Sequence, residues 1–233
     1  MVLVGGLALE LRNSILVMVV LNIIWLDRQT TLRLQQTYQN IIEKVEPQNL
    51  LKRRWLREIK TREMDRIIII DQEYYLSEIT EKDYSQLSKI IGVRDISLNL
   101  LLVPYPYSLE DAKCWVNHVN EQTAEFGRII NWSIRNKEGK LIGGIGQHLT
   151  YGEDSHKDEI GYWLCKDKWG KGVMSAVIKA YCAYLFKTTE LIRIEAPIFS
   201  SNKGSEKVLK KNKFQFEGVL SKAYFKDGEY IDS

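Results

Sequence analysis

Residues 159 to 174 read Glu159-Ile160-Gly161-Tyr162-Trp163-Leu164-Cys165-Lys166-Asp167-Lys168-Trp169-Gly170-Lys171-Gly172-Val173-Met174. The first half is rich in apolar and aromatic residues and reads as a strand from Glu159 to Lys166. The second half leads into a helical pattern from about Gly172 to Phe186. A glycine-containing turn between a strand and a helix gathers several unpaired backbone N–H groups at one point, where the helix dipole also favours negative charge. Gly170 and Gly172 let the backbone close on phosphate oxygens without a Cβ in the way, and Lys168 and Lys171 add positive charge. The stretch therefore reads as a pyrophosphate cradle, with a purely structural loop as the plain alternative. It contains neither G-x-x-x-x-G-K-[ST] nor G-x-G-x-x-G, which removes the nucleoside-triphosphate P-loop and the dinucleotide fingerprint.

Outward from this stretch, short β-like runs alternate with helical ones, the mark of an α/β or α+β domain. Upstream, Tyr74 to Ile79 reads as a strand, and Thr80 caps a helix to about Ile91, with Glu81 and Asp83 suited to its positive end. Ser108 opens a second helix with Glu110 and Asp111 in its first turn. Asn131 to Arg135 and Leu141 to Thr150 form a hairpin around the Asn136 to Lys140 turn, where Gly139 supplies the flexible position. Downstream, Arg193 to Phe199 is a further strand, and Ser201 or Asn202 caps the helix that follows.

Four motifs stand in order along this frame: Glu159-Ile160-Gly161-Tyr162-Trp163, then Gly170-Lys171-Gly172, then Asn202-Lys203-Gly204-Ser205, then Lys211-Asn212-Lys213-Phe214 with Glu217-Gly218. In this combination the sequence resembles the GNAT superfamily of N-acetyltransferases. Within it, the pattern is similar to the ribosomal-protein N-terminal acetyltransferases (RimJ/RimL-type) and their small-amine-acetylating relatives. Pro104-Tyr105-Pro106-Tyr107 with Glu110-Asp111-Ala112 matches the entry to that family's second helix. The resemblance covers residues 71 to 233 and implies an α+β fold, a mixed and mostly antiparallel sheet flanked by helices.

The resemblance also implies a chemistry: transfer of an acetyl group from acetyl-CoA to a primary amine, a protein N-terminus or a small amine, by direct attack and without a metal. Trp163 and Leu164 would pair with the pantetheine arm, and the Leu164 N–H would hold the developing oxyanion. Lys168, Trp169, Gly170, Lys171, Gly172, Val173 and Met174 would surround the pyrophosphate, and Asn202 would contact the cofactor. Glu159 is the candidate base or water-relay carboxylate; its plain alternative is a strand-end carboxylate facing solvent. Many family members protonate the departing thiolate with a tyrosine in the helix after the second cofactor strand. None stands between Ser201 and Lys213, so Ser205 takes that place. Loops Asn99 to Tyr107 and Tyr151 to His156 would form the amine pocket.

Three departures from the family pattern carry expectations of their own. Asp167 stands where Gln or Arg is usual and sits unfavourably near phosphate unless it points away or pairs with a lysine. Lys213 stands where the family has a glycine, so a left-handed helix end carries a side chain. The strand that normally follows the Lys226 to Tyr230 turn is nearly absent, as in a truncated domain. A catalytically impaired acyl-CoA-binding or interaction module, free or membrane-tethered, is the alternative function.

Composition sets the remaining bounds. With 45% hydrophobic and 27% charged residues the chain is an ordinary globular protein. Thirty-three basic against 30 acidic residues leave a net charge of +3, too small to call for a nucleic-acid partner. Cys114, Cys165 and Cys182, three cysteines without paired spacing, fit neither a disulfide framework nor a zinc site, and suggest a reducing, cytoplasmic setting. His118, His148 and His156 show no metal spacing. Residues 1 to 66 read as a helical N-terminal extension. Its apolar run, Ile15 to Leu26, is shorter than the roughly 20 residues a spanning helix needs and reads as a buried or partner-packed helix, with a membrane anchor as the alternative. The basic Leu50 to Arg66 segment reads as a solvated helical face.

Overall fold

The computed structural model describes residues 66–152 and 155–233. The expected N-terminal helices, including Ile15 to Leu26 and the basic segment before Arg66, lie outside the described residues. Six strands form one sheet in chain order: β1 (Ile67–Ile69), β2 (Tyr74–Ser77), β3 (Asn131–Asn136), β4 (Leu141–Gln147), β5 (Lys157–Leu164) and β6 (Arg193–Glu195). Every neighbouring pair is antiparallel except β5 and β6, which run parallel. The sheet is thus mixed and mostly antiparallel, as the motifs imply.

Helices follow where their caps stand. A 3-10 turn, Glu81–Asp83, leads into α1 (Tyr84–Ile91), and α2 (Arg94–Ser97) follows. The α3 helix (Leu109–Phe126) starts in a capping box: the Asp111 N–H donates to Ser108 Oγ at 3.1 Å and the Ser108 N–H to Asp111 Oδ2 at 2.7 Å. The α4 helix (Val173–Thr188) and α5 (Lys203–Lys211) complete the set. Consecutive residues of β3 show which helix covers which face, since they point to opposite sides. Trp132 meets Tyr184 of α4 edge-on at 5.6 Å, whereas Asn131 donates to Gln122 of α3 at 3.1 Å. The core lies on both faces, with Ile134, Ile145, Ile160, Val177, Tyr181 and Val116 among its most buried members. Among the described residues no helix is long and apolar enough to cross a membrane.

One buried ion pair ties the start of α1 to the sheet. Arg135 of β3 grips Asp83 bidentately, at 2.8 and 2.7 Å, and also reaches Ser77 Oγ and the Glu78 carbonyl. Burial raises the Asp83 carboxyl, but the Arg135 hydrogen bonds and charge, with Thr80, outweigh it and hold it below the usual range.

Four strands stop earlier than their sequence suggests: β2 at Ser77 rather than Ile79, β5 at Leu164 rather than Lys166, and β4 and β6. β4 ends at Gln147 rather than Thr150, because the Leu149 and Thr150 N–H groups turn to the Asp158 carboxylate, with Leu149 left-handed at φ 53°. β6 ends at Glu195 rather than Phe199, because the next rung toward β5 would need an N–H from Pro197. At the C-terminus, β7 (Tyr224–Lys226) and β8 (Glu229–Ile231) form a separate hairpin. Its turn is Asp227-Gly228, both at positive φ (52° and 87°), as a two-residue hairpin turn of the primed kind requires. The last residues lie beside the segment after β6: the Ser200 N–H donates to the Asp232 carbonyl at 2.9 Å.

The end of α5 explains how a lysine occupies the expected glycine place. Lys213 has φ 64°, its N–H bonds the Lys210 carbonyl at 3.0 Å, and the Phe214 N–H bonds the Leu209 carbonyl at 3.1 Å. This is a Schellman ending with a left-handed residue that carries a Cβ. Lys213→Gly is expected to raise stability by about 1 kcal/mol. In thermal unfolding the midpoint should then rise by roughly 2–4 °C; an unchanged or lower midpoint would mean that the lysine side chain compensates for the strain.

Candidate functional site

The register of β5 decides where its backbone groups point. The His148 N–H donates to the Glu159 carbonyl at 2.9 Å and the Cys165 N–H to the Ile142 carbonyl at 2.8 Å. Antiparallel pairing alternates, so the backbone groups of Glu159, Gly161, Trp163 and Cys165 serve β4, while those of Asp158, Ile160, Tyr162 and Leu164 face the opposite edge. On that edge the parallel pairing with β6 covers only Lys157, Asp158 and Glu159. Beyond the Pro197 break, the backbone groups of Tyr162 and Leu164 therefore face a slot between β5 and the departing chain. The Leu164 carbonyl is taken by the Trp169 indole N–H at 2.8 Å, which leaves the Leu164 N–H directed into the slot.

The turn after β5 sits at the end of this slot. A 3-10 turn, Lys166–Lys168, precedes Gly170 and Gly172, both left-handed at φ 71° and 80°. Gly172 is the N-cap of α4, and a Cβ on either glycine would meet nothing within 4 Å, so the space before them is open. Among the described residues the N–H groups of Gly170, Lys171 and Gly172 have no backbone acceptor. Lys168 and Lys171 flank them. Val173 and Met174 bury their side chains in the core, so only their backbone can serve the turn. Asp167 is anchored: the Cys165 thiol, then Lys168 and Lys171, hold its carboxyl below the usual range. Burial, with Asp167 beside it, pushes the Cys165 thiol up to about 12, so it is no nucleophile. A cleft of about 350 Å³ lined by Lys89, Lys140, Cys165 and Lys168 borders this turn on the α1 side. It contains none of Glu159, Trp163 or Ser205, and the slot is the better site because unpaired backbone groups line it.

Side chains of β5 alternate across the sheet, so Glu159, Gly161 and Trp163 share the α3 face, and Ile160, Tyr162 and Leu164 the α4 face. On the α3 face, Trp163 lies over Gly144, where a Cβ would come within 2.6 Å of its Nε1. Glu159 is one-fifth exposed, 3.5 Å from His148 Nδ1, and accepts from the Tyr151 hydroxyl at 3.4 Å. The same hydroxyl donates to Glu195 at 3.2 Å. Arg193, Lys157 and Tyr151 hold the Glu195 carboxyl below its ordinary range. Among the described residues no lysine or arginine pairs with Glu159. Its neighbour Asp158 is buried and satisfied by four donors: the Gln147 amide (3.0 Å) and the N–H groups of Leu149 (3.2 Å), Thr150 (3.1 Å) and Glu159 (2.8 Å).

On the α4 face, Tyr162 reaches Ser205 in the first turn of α5. The phenol oxygen is shielded from solvent and has no hydrogen-bond partner in good geometry. Burial pushes the Tyr162 pKa above the usual phenol value, and the adjacent Ser205 hydroxyl offsets part of that shift. Asn202 caps α5, its Oδ1 accepting the Ser205 N–H at 3.0 Å, so the plain capping role is met whether or not the residue also touches a cofactor. The fold brings Leu164, the glycine turn and, through Tyr162, Ser205 to the free edge of β5. The Trp163 backbone instead serves β4 and its ring lies over Gly144, so Tyr162 rather than Trp163 offers its backbone there, and Glu159 stands on the α3 face. Sequence spacing missed His148, Tyr151 and Tyr162, which only strand register places beside Glu159 and Ser205. Among the described residues no cluster of His, Cys, Asp or Glu could hold a metal.

The model of the acetyltransferase (GNAT) domain family matches residues 74–215. The chain belongs to the GNAT family. The uncharacterized N-acetyltransferase YoaA of Bacillus subtilis (strain 168) is 36% identical over 107 residues, 46% of this chain and 60% of that protein. The chain thus spans less than two thirds of this GNAT relative. The L-amino acid N-acetyltransferase AaaT of Escherichia coli (strain K12) is 26% identical over 168 residues, 69% of this chain and 94% of that protein. A crystal structure of RimL, a ribosomal alpha-N-protein acetyltransferase in complex with coenzyme A, superposes with a TM-score of 0.63. It is 20% identical, over 71% of this chain and 93% of that one, and shows the fold alone.

Within this GNAT site the Asp158 carboxylate fixes the turn that carries His148 and Tyr151. Asp158→Asn would aim an amide N–H at existing donors whichever way it turned, and should cost about 2 kcal/mol. The thermal midpoint should fall by roughly 4–8 °C. An unchanged midpoint would mean that the four contacts do not hold the turn.

Proposed function

We propose that residues 71 to 233 form an acyl-CoA-dependent N-acetyltransferase domain that passes an acetyl group from acetyl-CoA to a primary amine. The observation that carries this reading is the slot: the Tyr162 backbone and the Leu164 N–H, free of strand partners on that edge, lead toward the open N–H groups of Gly170, Lys171 and Gly172. A pantetheine arm is an extended, amide-bearing chain that ends in a pyrophosphate. Its amides suit a strand edge, and its phosphates suit a helix N-terminus with Lys168 and Lys171 beside it.

The two faces of β5 divide the chemistry. With the thioester carbonyl against the Leu164 N–H, an amine approaching from the α3 face meets Glu159 and His148, and the departing sulfur lies toward Ser205 and Tyr162 on the α4 face. The amine attacks directly, its proton leaves toward the α3 face, and the thiolate takes one from Ser205. No covalent intermediate on the protein is needed. The amine pocket is assigned to loops 99–107 and 151–156, and the acceptor to a protein N-terminus or a small amine, a reading supported by relatives that are a ribosomal-protein-serine acetyltransferase and an L-amino acid N-acetyltransferase. The setting is assigned to the cytoplasm.

Acetyl-CoA at about 100 times its dissociation constant should stabilise the full chain by roughly 2.7 kcal/mol. That corresponds to a rise in midpoint of about 5–10 °C. Gly172→Trp fills the open space before α4 and should abolish the rise while the variant still unfolds cooperatively. No shift in a well-folded wild type would remove the cofactor site. A shift without transfer to any of a panel of peptides, polyamines and amino acids would leave an acyl-CoA-binding module.

A further inference from the structure

His148 is a direct cross-strand partner of Glu159. Its N–H donates to the Glu159 carbonyl at 2.9 Å, one pair beyond Gln147 and Ile160, so both side chains stand on the α3 face. His148 Nδ1 lies 3.5 Å from Glu159 Oε2. The ring lies diagonally across the strand onto Gly161, where a Cβ would come within 2.4 Å of Nε2. Only a residue without a side chain lets the imidazole lie down there. That posture sets Nε2 over Gly161, two residues along β5 from Glu159 in the direction of Trp163. The backbone beneath is fixed, since Asp158 holds the Leu149 and Thr150 N–H groups and the Gln147 amide. Half of the His148 side chain stays exposed.

This arrangement does what a lone carboxylate does poorly. A carboxylate is a weak base for an alkylammonium group, whereas imidazole titrates near neutrality and is matched to proton transfer there. Glu159, with no lysine or arginine partner among the described residues, is available to hold the ring. We propose that His148 is the group that takes the acceptor's proton, and that Glu159 is the positioning residue that keeps Nδ1 protonated and the Nε2 lone pair facing the slot. The proposal rests on the acyl-transfer reading of the same slot. Nε2 first takes a proton from the ammonium group of the acceptor, which frees the nitrogen lone pair; the nitrogen then bonds the thioester carbon and gives its second proton to solvent. The electron pair of the breaking C–S bond goes to sulfur, which takes the Ser205 hydroxyl proton. Solvent restores the proton to Ser205 and removes the one on His148.

The test compares two small acceptors with the full chain and acetyl-CoA, following release of free thiol: ethylamine, charged at neutral pH, and hydroxylamine, uncharged there. His148→Gln should slow transfer to ethylamine by about 100-fold, with transfer to hydroxylamine much less affected and the acetyl-CoA thermal shift unchanged. Glu159→Gln should give the same pattern more weakly. Equal loss with both acceptors, or no loss, would overturn the role of His148. Full loss in Glu159→Gln with His148→Gln unaffected would make the carboxylate itself the base and overturn it as well. A wild type that binds acetyl-CoA but transfers to neither acceptor would instead defeat the transferase reading, and the proposal with it.

Discussion

A β-strand has two edges, and each of its residues serves only one of them. In β5 the edge that belongs to Asp158, Ile160, Tyr162 and Leu164 has a partner for its first half only, because the parallel ladder to β6 would next draw on residue 197, a proline. An unpaired amide out of reach of water costs about 1–3 kcal/mol, so an amide-bearing ligand that displaces water from this edge has to replace its hydrogen bonds, and the free N–H groups of β5 allow that. The Trp169 indole takes the Leu164 carbonyl and so selects the polarity of what is left: a donor, suited to an oxygen that gains negative charge. The glycine turn continues the same logic, since its N–H groups extend the row of donors into the first turn of α4.

Asp158 and Glu159 show how adjacent carboxylates take opposite roles. Their side chains point to opposite faces, so one meets a wall of donors and the other an open surface. Asp158 accepts four hydrogen bonds and defines the turn that follows β4. Glu159 has only His148 and the shared Tyr151 hydroxyl within reach. The nearby Glu195 is bound to Arg193 and Lys157, which removes it from competition as a base and leaves Tyr151 fixed between the two acids.

Much of the site was readable because its parts are local in sequence. The strand, the glycine turn and the α4 start are contiguous, and the capping residues Thr80, Ser108 and Asn202 announce the helices they begin. What was not readable depends on pairing between distant segments. His148 and Glu159 are eleven residues apart with a loop between them, and only the β4–β5 register makes them neighbours. Tyr162 is far from Ser205 in the chain, and its meeting with α5 follows from which face of β5 it occupies. The early end of β6 could have been anticipated, since Pro197 stands in the sequence. The strand pattern from Arg193 to Phe199 concealed it, because apolar periodicity does not register a missing donor.

The departure at Asp167 finds its explanation in the same local geometry. A carboxylate beside a phosphate site is unfavourable if it points at the phosphate. Here the 3-10 turn carries it back to the Cys165 thiol at the end of β5, while Lys168 and Lys171 stand on either side of Trp169 and Gly170. The two lysines partly neutralise the acid, yet they outnumber it, and the open N–H groups of the turn add partial positive charge that no carboxylate of the turn caps. The balance at the mouth of the slot therefore favours an anion even though the sequence places an acid in the loop. Lys213 is a parallel case at the far end of α5: its side chain carries the strain of a left-handed residue so that the Schellman hydrogen bonds can form and turn the chain back toward Phe214.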